Sequence, residues 1–290
     1  MKCVICESSE VRHYCQKNSL EIKRCHVCGH GFVSPIPSQE ELIELYGKGQ
    51  DSLLENGSAL KLESLLNDDI AKISTYFSDR VSFIKKFHKV ELIRALDFGC
   101  ASGLFLRALE IAGATEAIGI DIQQDLIQLG ESKNRKVIYD GDGSFLQKNT
   151  LEFDLISANN VLEHVVDPAF YLRKLLRHLK PSGLIFVSVP NFSSLQVKFL
   201  KERSPVIDPP HHIHYFTKDS MAALLNSCGY EVLGTRTVFW GRETDVFLID
   251  RGYRPTTAKL LRFMVQPIKF VIERLGFGGI VQTIAKPKHS

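Results

Sequence analysis

No stretch of the 290-residue sequence offers the roughly 18 uncharged apolar residues in a row that a membrane-spanning helix needs. The opening MKCVICESSE lacks both the basic start and the uninterrupted apolar run of a secretory signal. A cytoplasmic chain is expected. Neither sign of charge is in excess: 36 Lys and Arg face 33 Asp and Glu, for a net +3, which gives no general attraction to polyanions. With 44% hydrophobic and 24% charged residues the composition excludes extensive disorder. The G-x-G-x-x-G dinucleotide fingerprint is missing, and so is the Gly-Lys-Ser/Thr of a P-loop.

The charge is unevenly placed. Residues 251–290 carry eight Lys and Arg against the single acid Glu273, which leaves the rest of the chain at about −4. Within that tail TAKLLRFMVQPIKFVIERLG mixes Leu, Phe, Met and Ile with Lys and Arg around Pro267. Such a segment, about residues 254–275, suits peripheral contact with the inner face of an anionic membrane near a lipid-linked acceptor. It suits equally a helix pair packed on a sheet ahead of a closing strand, GIVQTIAK.

In a reducing compartment cysteines read as ligands or core residues before they read as disulfides. Four of the seven form two pairs, Cys3-x2-Cys6 and Cys25-x2-Cys28, with eighteen residues between the pairs. A two-residue spacer lets a tight turn aim both thiolates at one metal about 2.3 Å away, and two such turns close a tetrahedron. The pattern predicts a structural zinc ion, because residues 1–34 hold few large apolar side chains and need a staple to fold. His13, Cys15, His26 and His30 stand nearby and are read as bystanders.

Pro35 and Pro37 mark a linker, which sets a zinc-ribbon-like module at residues 1–37. From residue 38 to about 90 the pattern turns helical, with ALKLESLLNDDIAKISTYFSDRVSFIKKF holding apolar residues near helical spacing. This stretch reads either as a lid or as a plain packing layer. Over residues 91–290 short apolar runs (IRALDFG, EAIGID, KVIYDG, FDLISANN, GLIFVSVP) alternate with helical patterns (LFLRALEIAG, QDLIQLGESK, PAFYLRKLLRHLK). That alternation predicts an α/β fold with a parallel, doubly wound sheet whose ligand lies beyond the carboxyl ends of the strands.

The first of those strands ends in Asp97-Phe98-Gly99-Cys100-Ala101-Ser102-Gly103 and runs into a helix, so LDFGCASGLFL resembles the D/E-x-G-x-G-x-G loop of class I S-adenosylmethionine-dependent methyltransferases, with Ala101 in place of the middle glycine. FDLISANNVLEHVVDPAFYLRKLLRHLKPSGLIFVSVPN is similar to the fourth and fifth strand region of the same family. The likeness covers about residues 91–240 and implies a seven-stranded Rossmann-like sheet and S-adenosylmethionine as cofactor. It implies a donor cradle of Asp97, Gly99, Cys100, Ala101 and Gly103, with Asp121 and Ile122 at the ribose and Asn159 at the next strand end. Asp142, preferred to Asp140, is expected at the adenine.

Methyl transfer from a sulfonium is an in-line displacement, in which the protein aligns donor and acceptor and excludes water. A hydroxyl acceptor must also lose a proton, for which His is best suited near neutral pH. Glu163-His164 and the run His211-His212-Ile213-His214-Tyr215-Phe216 follow successive strands and overlook one crevice. They resemble Glu-His-Val and His-x-x-Phe-Thr elements of ubiquinone-biosynthesis and small-RNA 2′-O-methyltransferases, some of which hold a divalent ion between two Glu and two His. Here Asn160 replaces one of those acids, which weakens a hard-cation site. A metal-free relay, with His164 or His214 as base and Glu163 as its orienter, is therefore preferred to an active-site Mg2+. The expected acceptor is a small molecule, sugar or glycan. An RNA 2′-O-methyltransferase and a non-catalytic cofactor-binding scaffold are the alternatives, and the mild charge with no aromatic-studded basic patch argues against nucleic acid.

Overall fold

The computed structural model describes residues 1–38, 40–42, 58–88, 94–141, 143–239 and 268–288. Strands β1 (Val11–Lys17), β2 (Leu20–Cys25) and β3 (Gly31–Ser34) form an antiparallel meander. Asn18 and Ser19, with φ of 49° and 63°, turn β1 into β2, the left-handed pair that a tight hairpin requires. The fourth strand of this sheet comes from far along the chain. β9 (His214–Tyr215) lies against β3, with Gly31 opposite Tyr215 and Phe32 opposite His214. A glycine is needed at 31 because a Cβ there would meet the Phe192 ring. Ile22 and Val33 share an apolar cluster with Val206, Ile207 and Ile213. The boundary drawn at residue 37 thus crosses a continuous sheet and a continuous core.

Of the helical region expected over 38–90, residues 58–88 are described as two helices. α1 (Ser58–Leu66) ends where Asn67 and Asp68 take positive φ, and α2 (Ile70–Phe87) starts with the Asp69 carboxylate accepting from the Lys72 N–H at 3.0 Å. Ile73, Phe77 and Ile84 recur at helical spacing and pack with Phe105 and Leu109 in the core. Arg236 stacks over Phe83 from the other side. These helices are a layer on the main sheet.

That sheet has the order β10-β11-β8-β7-β4-β5-β6. Its centre is β4 (Arg94–Phe98), flanked by β5 (Glu116–Asp121) and β6 (Val137–Tyr139) on one side and by β7 (Phe153–Asn159) and β8 (Leu179–Pro190) on the other, all parallel. β11 (Ile280–Pro287) inserts antiparallel between β8 and β10 (Tyr230–Val238), so the seven-stranded sheet is mixed, not parallel throughout. Successive residues of β7 and β8 are buried on opposite faces, Ile156 and Val187 in one cluster, Leu155 and Phe186 in the other. Burial on both faces explains why these strands read as unbroken apolar runs.

The connecting helices are α3 (Leu104–Ile111), α4 (Gln124–Ser132), α5 (Phe145–Lys148), α6 (Pro168–Leu176), α7 (Leu195–Leu200) and α8 (Lys218–Ser227). β8 begins earlier than the GLIFVSVP pattern indicates, because α6 stops at Leu176 and the Phe153 N–H bonds at once to the His178 carbonyl. The first part of the basic segment expected at 254–275, up to residue 267, lies outside the described residues. Residues 268–274 are helical and leave Ile268, Phe270 and Val271 exposed. No described helix is long and apolar enough to cross a membrane.

Phe186 is fully buried, with its ring centroid 6.3 Å from that of Phe105. Phe186→Ala is expected to cost about 3–5 kcal/mol of unfolding free energy, measured by urea denaturation.

Candidate functional site

In open α/β sheets ligands lie beyond the strand ends where the order reverses. Here the reversal falls between β4 and β7, and the chain leaving β4 is Gly99-Cys100-Ala101-Ser102-Gly103. Gly99, Ala101 and Gly103 all have positive φ, 73°, 49° and 82°. Gly99 and Cys100 donate their N–H groups to the Ile120 carbonyl at 2.9 and 3.1 Å, and Gly103 donates to the Cys100 carbonyl at 2.8 Å, so the loop is tied to the end of β5 and gives a ligand close access to backbone more than a row of free donors. Those are the three glycine positions of the motif, and Ala101 bears the side-chain strain at the middle one. A Cβ at 99 would collide with Val161. Cys100 faces the other way: its thiol packs with Leu106, Ala117 and Ile127 beneath the loop, so only its backbone can serve a ligand above.

Asp97 is buried and accepts from the Ser157 hydroxyl at 2.6 Å and the Asn159 amide at 3.3 Å. Burial pushes its carboxyl up to about 7, against the pull of those two donors. The Asn159 Oδ1 is buried without a hydrogen-bond partner among the described residues. Asp121 closes β5, and its carboxylate accepts from the Ala101 N–H at 2.8 Å and the Gln123 N–H at 2.9 Å. It therefore ties the loop to the second strand, and burial raises its pKa as well. Ile122 is exposed beside it. Asp140 caps α5 by accepting from the Phe145 N–H at 2.9 Å, and Asp142 lies outside the described residues.

Two features of this region leave no mark in the motif. The guanidinium of Arg80, on α2, is near enough to Asp97 to favour its ionised form. Buried Arg135 donates to the Ser102 carbonyl at 3.0 Å and pairs with Glu63 of α1. The one trace of Arg80 in the sequence is a cation at the apolar spacing of α2, between Phe77 and Ile84.

Beyond β7 the chain turns through Glu163 and His164. Glu163 is 1% exposed, and neither carboxylate oxygen has a hydrogen-bond partner among the described residues. Burial pushes it up to about 8. His164 Nε2 stands 3.9 Å from Glu163 Oε1, beyond hydrogen-bond distance, while its Nδ1 donates to the His211 carbonyl at 2.7 Å. The His211 carbonyl is thus the group that orients His164, and the expected Glu163-to-His164 relay contact is not made. His212 completes the cluster. One ligand atom from each of Glu163, His164 and His212 lies within 4.8 Å of the others. His164 is pushed down to about 3 and His212 is also lowered, in both cases by burial first, so both rings are neutral, the form that ligates metals.

His214, the other expected base, sits apart. It is buried, donating from Nε2 to the Val166 carbonyl at 3.2 Å and accepting at Nδ1 from His30 Nε2 at 3.1 Å. Both ring nitrogens are committed, one to the loop after β7 and the other to the residue ahead of β3. An imidazole so engaged has no free position for an acceptor proton, so the neighbour His212 takes its place in the cluster.

The cysteine sulfurs converge as their spacing predicts. Cys3 and Cys28 Sγ are 3.7 Å apart, Cys6 and Cys25 Sγ 3.6 Å, and all four lie within 4.8 Å. A tetrahedron with arms of about 2.3 Å has edges of about 3.8 Å, so the set fits zinc, and the thiols are free of disulfides. The Cys28 hydrogen bond pushes the Cys3 thiol down to about 5, and the same bond raises Cys28.

A methyltransferase-domain family profile matches residues 62–235, and the chain belongs to that family. It is 31% identical over 118 residues to the ubiquinone biosynthesis O-methyltransferase of Hydrogenovibrio crunogenus, covering 39% of this chain and 48% of the relative. The enzyme of that name from Methylococcus capsulatus is 34% identical over 120 residues, covering 39% and 50%. The chain thus spans about half the length of the curated relatives it matches. Among solved structures, a SAM-dependent methyltransferase from Archaeoglobus fulgidus superposes with a TM-score of 0.50 at 20% identity, covering 79% of this chain and 99% of that one. The plantazolicin methyltransferase, in complex with a desmethyl substrate analogue and SAH, gives 0.52 at 18% identity, covering 87% and 99%. At those identities the likeness is one of fold.

The sulfur geometry predicts one zinc per chain by metal analysis, and Cys25→Ser should abolish it and strip hydrogen-exchange protection from β1 to β3. A second expectation concerns pH. The folded value of Glu163, about 8, lies above its ordinary 4.5, so its stabilising contribution is complete below that ordinary value and is lost as pH rises through 8. In zinc-loaded protein without added Mg2+ or Mn2+, Glu163→Gln should gain thermal stability relative to wild type as pH is raised from 5 to 9.

Proposed function

We propose that this chain transfers a methyl group from S-adenosylmethionine to a hydroxyl of a small-molecule or sugar acceptor, with a divalent ion held by Glu163, His164 and His212. One observation carries the hydroxyl and ion reading. A fully buried carboxylate with two unpartnered oxygens, beside two neutral imidazoles, needs a cation or a proton. The relatives named as O-methyltransferases support the same chemistry.

The donor supplies a methyl carbon on a positively charged sulfur, open to in-line displacement. Asp121 offers its remaining lone pairs to the ribose hydroxyls, the left-handed turn of residues 99–103 lets the methionyl portion approach the backbone closely, and Asp97 with Asn159 receives its ammonium. Arg80 supplies the positive charge that a carboxylate at that end requires. Glu163, His164 and His212 would hold a divalent ion, which when bound would lower the pKa of a coordinated hydroxyl. Glu163 and His164 then fix the acceptor oxygen beside the donor, and the loop of residues 191–212 shuts out water. Asn160 contributes no carboxylate to this arrangement, so Glu163, His164 and His212 are the three side chains that would hold such an ion.

The exposed apolar residues Ile268, Phe270 and Val271, with Lys269 and Arg274 among them, support peripheral contact with an anionic membrane, where a lipid-linked acceptor would be met. The four cysteines hold zinc in a structural role.

Calorimetry with S-adenosylhomocysteine should give saturable binding that Asp121→Ala removes, and no binding by the wild type would overturn the donor assignment. Glu163→Gln should keep that binding and lose about 10²- to 10³-fold in methyl transfer. Transfer should also stop when divalent ions are withheld from zinc-loaded enzyme and return with Mg2+ or Mn2+. Full activity without them would replace the ion with a proton relay. Competition between sugar and RNA acceptors separates the two acceptor classes.

A further inference from the structure

The hairpin tip between β1 and β2 reaches the loop that carries His212. Lys17 Nζ donates to the Ile207 carbonyl and Asn18 Nδ2 to the Pro209 carbonyl at 2.6 Å. We propose that Lys17 and Asn18 are positioning residues for His212, so that the cysteine module sets the geometry of a cluster to which it contributes no ligand. The proposal rests on the reading of Glu163, His164 and His212 as the reacting site.

The loop needs outside support for a chemical reason. Pro205, Pro209 and Pro210 remove three N–H donors from six consecutive residues, so the segment cannot build a regular ladder of its own. Apart from the turn in which the Ile207 and Val206 N–H groups donate to Ser204, its internal bonds run to His212. The His212 N–H donates to the Asp208 carbonyl at 2.8 Å, His212 Nδ1 to the Val206 carbonyl at 2.8 Å, and the Tyr215 hydroxyl to the His212 carbonyl at 2.7 Å. Residues 206 and 208 are thus the groups that aim the ring, and residues 207 and 209, between and beside them, are the ones gripped by the hairpin.

The grip is reinforced on the apolar side. Val206 and Ile207 pack with Cys15, Ile22 and Val33 of the module, and the Val33 N–H donates to the Ile213 carbonyl at 3.0 Å. The Lys17 charge also acts on His212. Asn18 is suited to its place twice over: it accepts the left-handed backbone of the turn, and its amide supplies the missing donor. Partners one step removed from metal ligands fix ring orientation and tautomer.

The test uses full-length, zinc-loaded protein carrying Lys17→Met and Asn18→Gly. Methionine keeps the apolar stem, and glycine keeps the positive φ while removing the amide. Long-range 1H–15N spectra of the imidazoles, with the His212 signal assigned through His212→Gln, should show that signal displaced in the variant. Zinc content and S-adenosylhomocysteine affinity should be unchanged. Mn2+ affinity, followed by electron paramagnetic resonance, should fall about 10- to 100-fold. An unmoved His212 signal would overturn the proposal. If wild-type protein binds no Mn2+, the ion reading fails by itself and the imidazole spectrum still decides the positioning role. Should the double variant lose zinc, Asn18→Gly alone carries the same readout.

Discussion

The main-chain carbonyl of Glu163 accepts from the N–H groups of both Ile213 and His214, at 2.9 Å and 3.2 Å, and the rest of the site depends on that fork. It welds the turn after β7 to the segment that returns from the long loop after β8. Two ends of the chain's chemistry, some fifty residues apart, are brought together by backbone, which no side-chain substitution removes. The same segment then continues as β9 and pairs with β3. A single irregular strand therefore belongs at once to the proposed reacting site and to the cysteine module.

Electrostatics follow from that packing. Asp97, Asp121 and Glu163 are each withdrawn from water, and burial raises all three. Three destabilised carboxylates around one crevice create a demand for positive charge. In the proposed function, a sulfonium donor with an ammonium group would meet it at Asp97 and Asp121, and a divalent ion would meet it at Glu163. The pair Arg135–Glu63 has a different task. It is enclosed and pins the carbonyl of Ser102, and so fixes the loop's shape from below. A buried pair of this kind serves specificity of arrangement more than stability.

Much of this was legible in the linear text because the responsible physics is local. The spacing of Cys3, Cys6, Cys25 and Cys28 encodes two tight turns, and turns do not depend on what surrounds them. The glycine pattern at 99 and 103 encodes left-handed backbone. Apolar runs bounded by Asp97, Asp121 and Asn159 mark strands buried on both faces. What escaped was relational. His212 and His214 are alike in sequence, two residues apart on a strand-like segment, and only packing decides which ring meets Glu163 and which is used up between His30 and Val166. Arg80 and Glu63 stand on the inward faces of α2 and α1, and Arg135 in the turn after α4, and only the packing of those segments shows what each charge meets.

The sequence by itself determined the α/β architecture, the four-sulfur cluster and the loop that ends the first core strand, since each follows from backbone preference or residue spacing over a few positions. Only the tertiary structure decided that the cysteine module shares a sheet and a core with the long loop, that Glu163 stands too far from His164 to orient it, and that His212 joins them. Those outcomes turn on distances between segments up to two hundred residues apart, set by how whole layers pack.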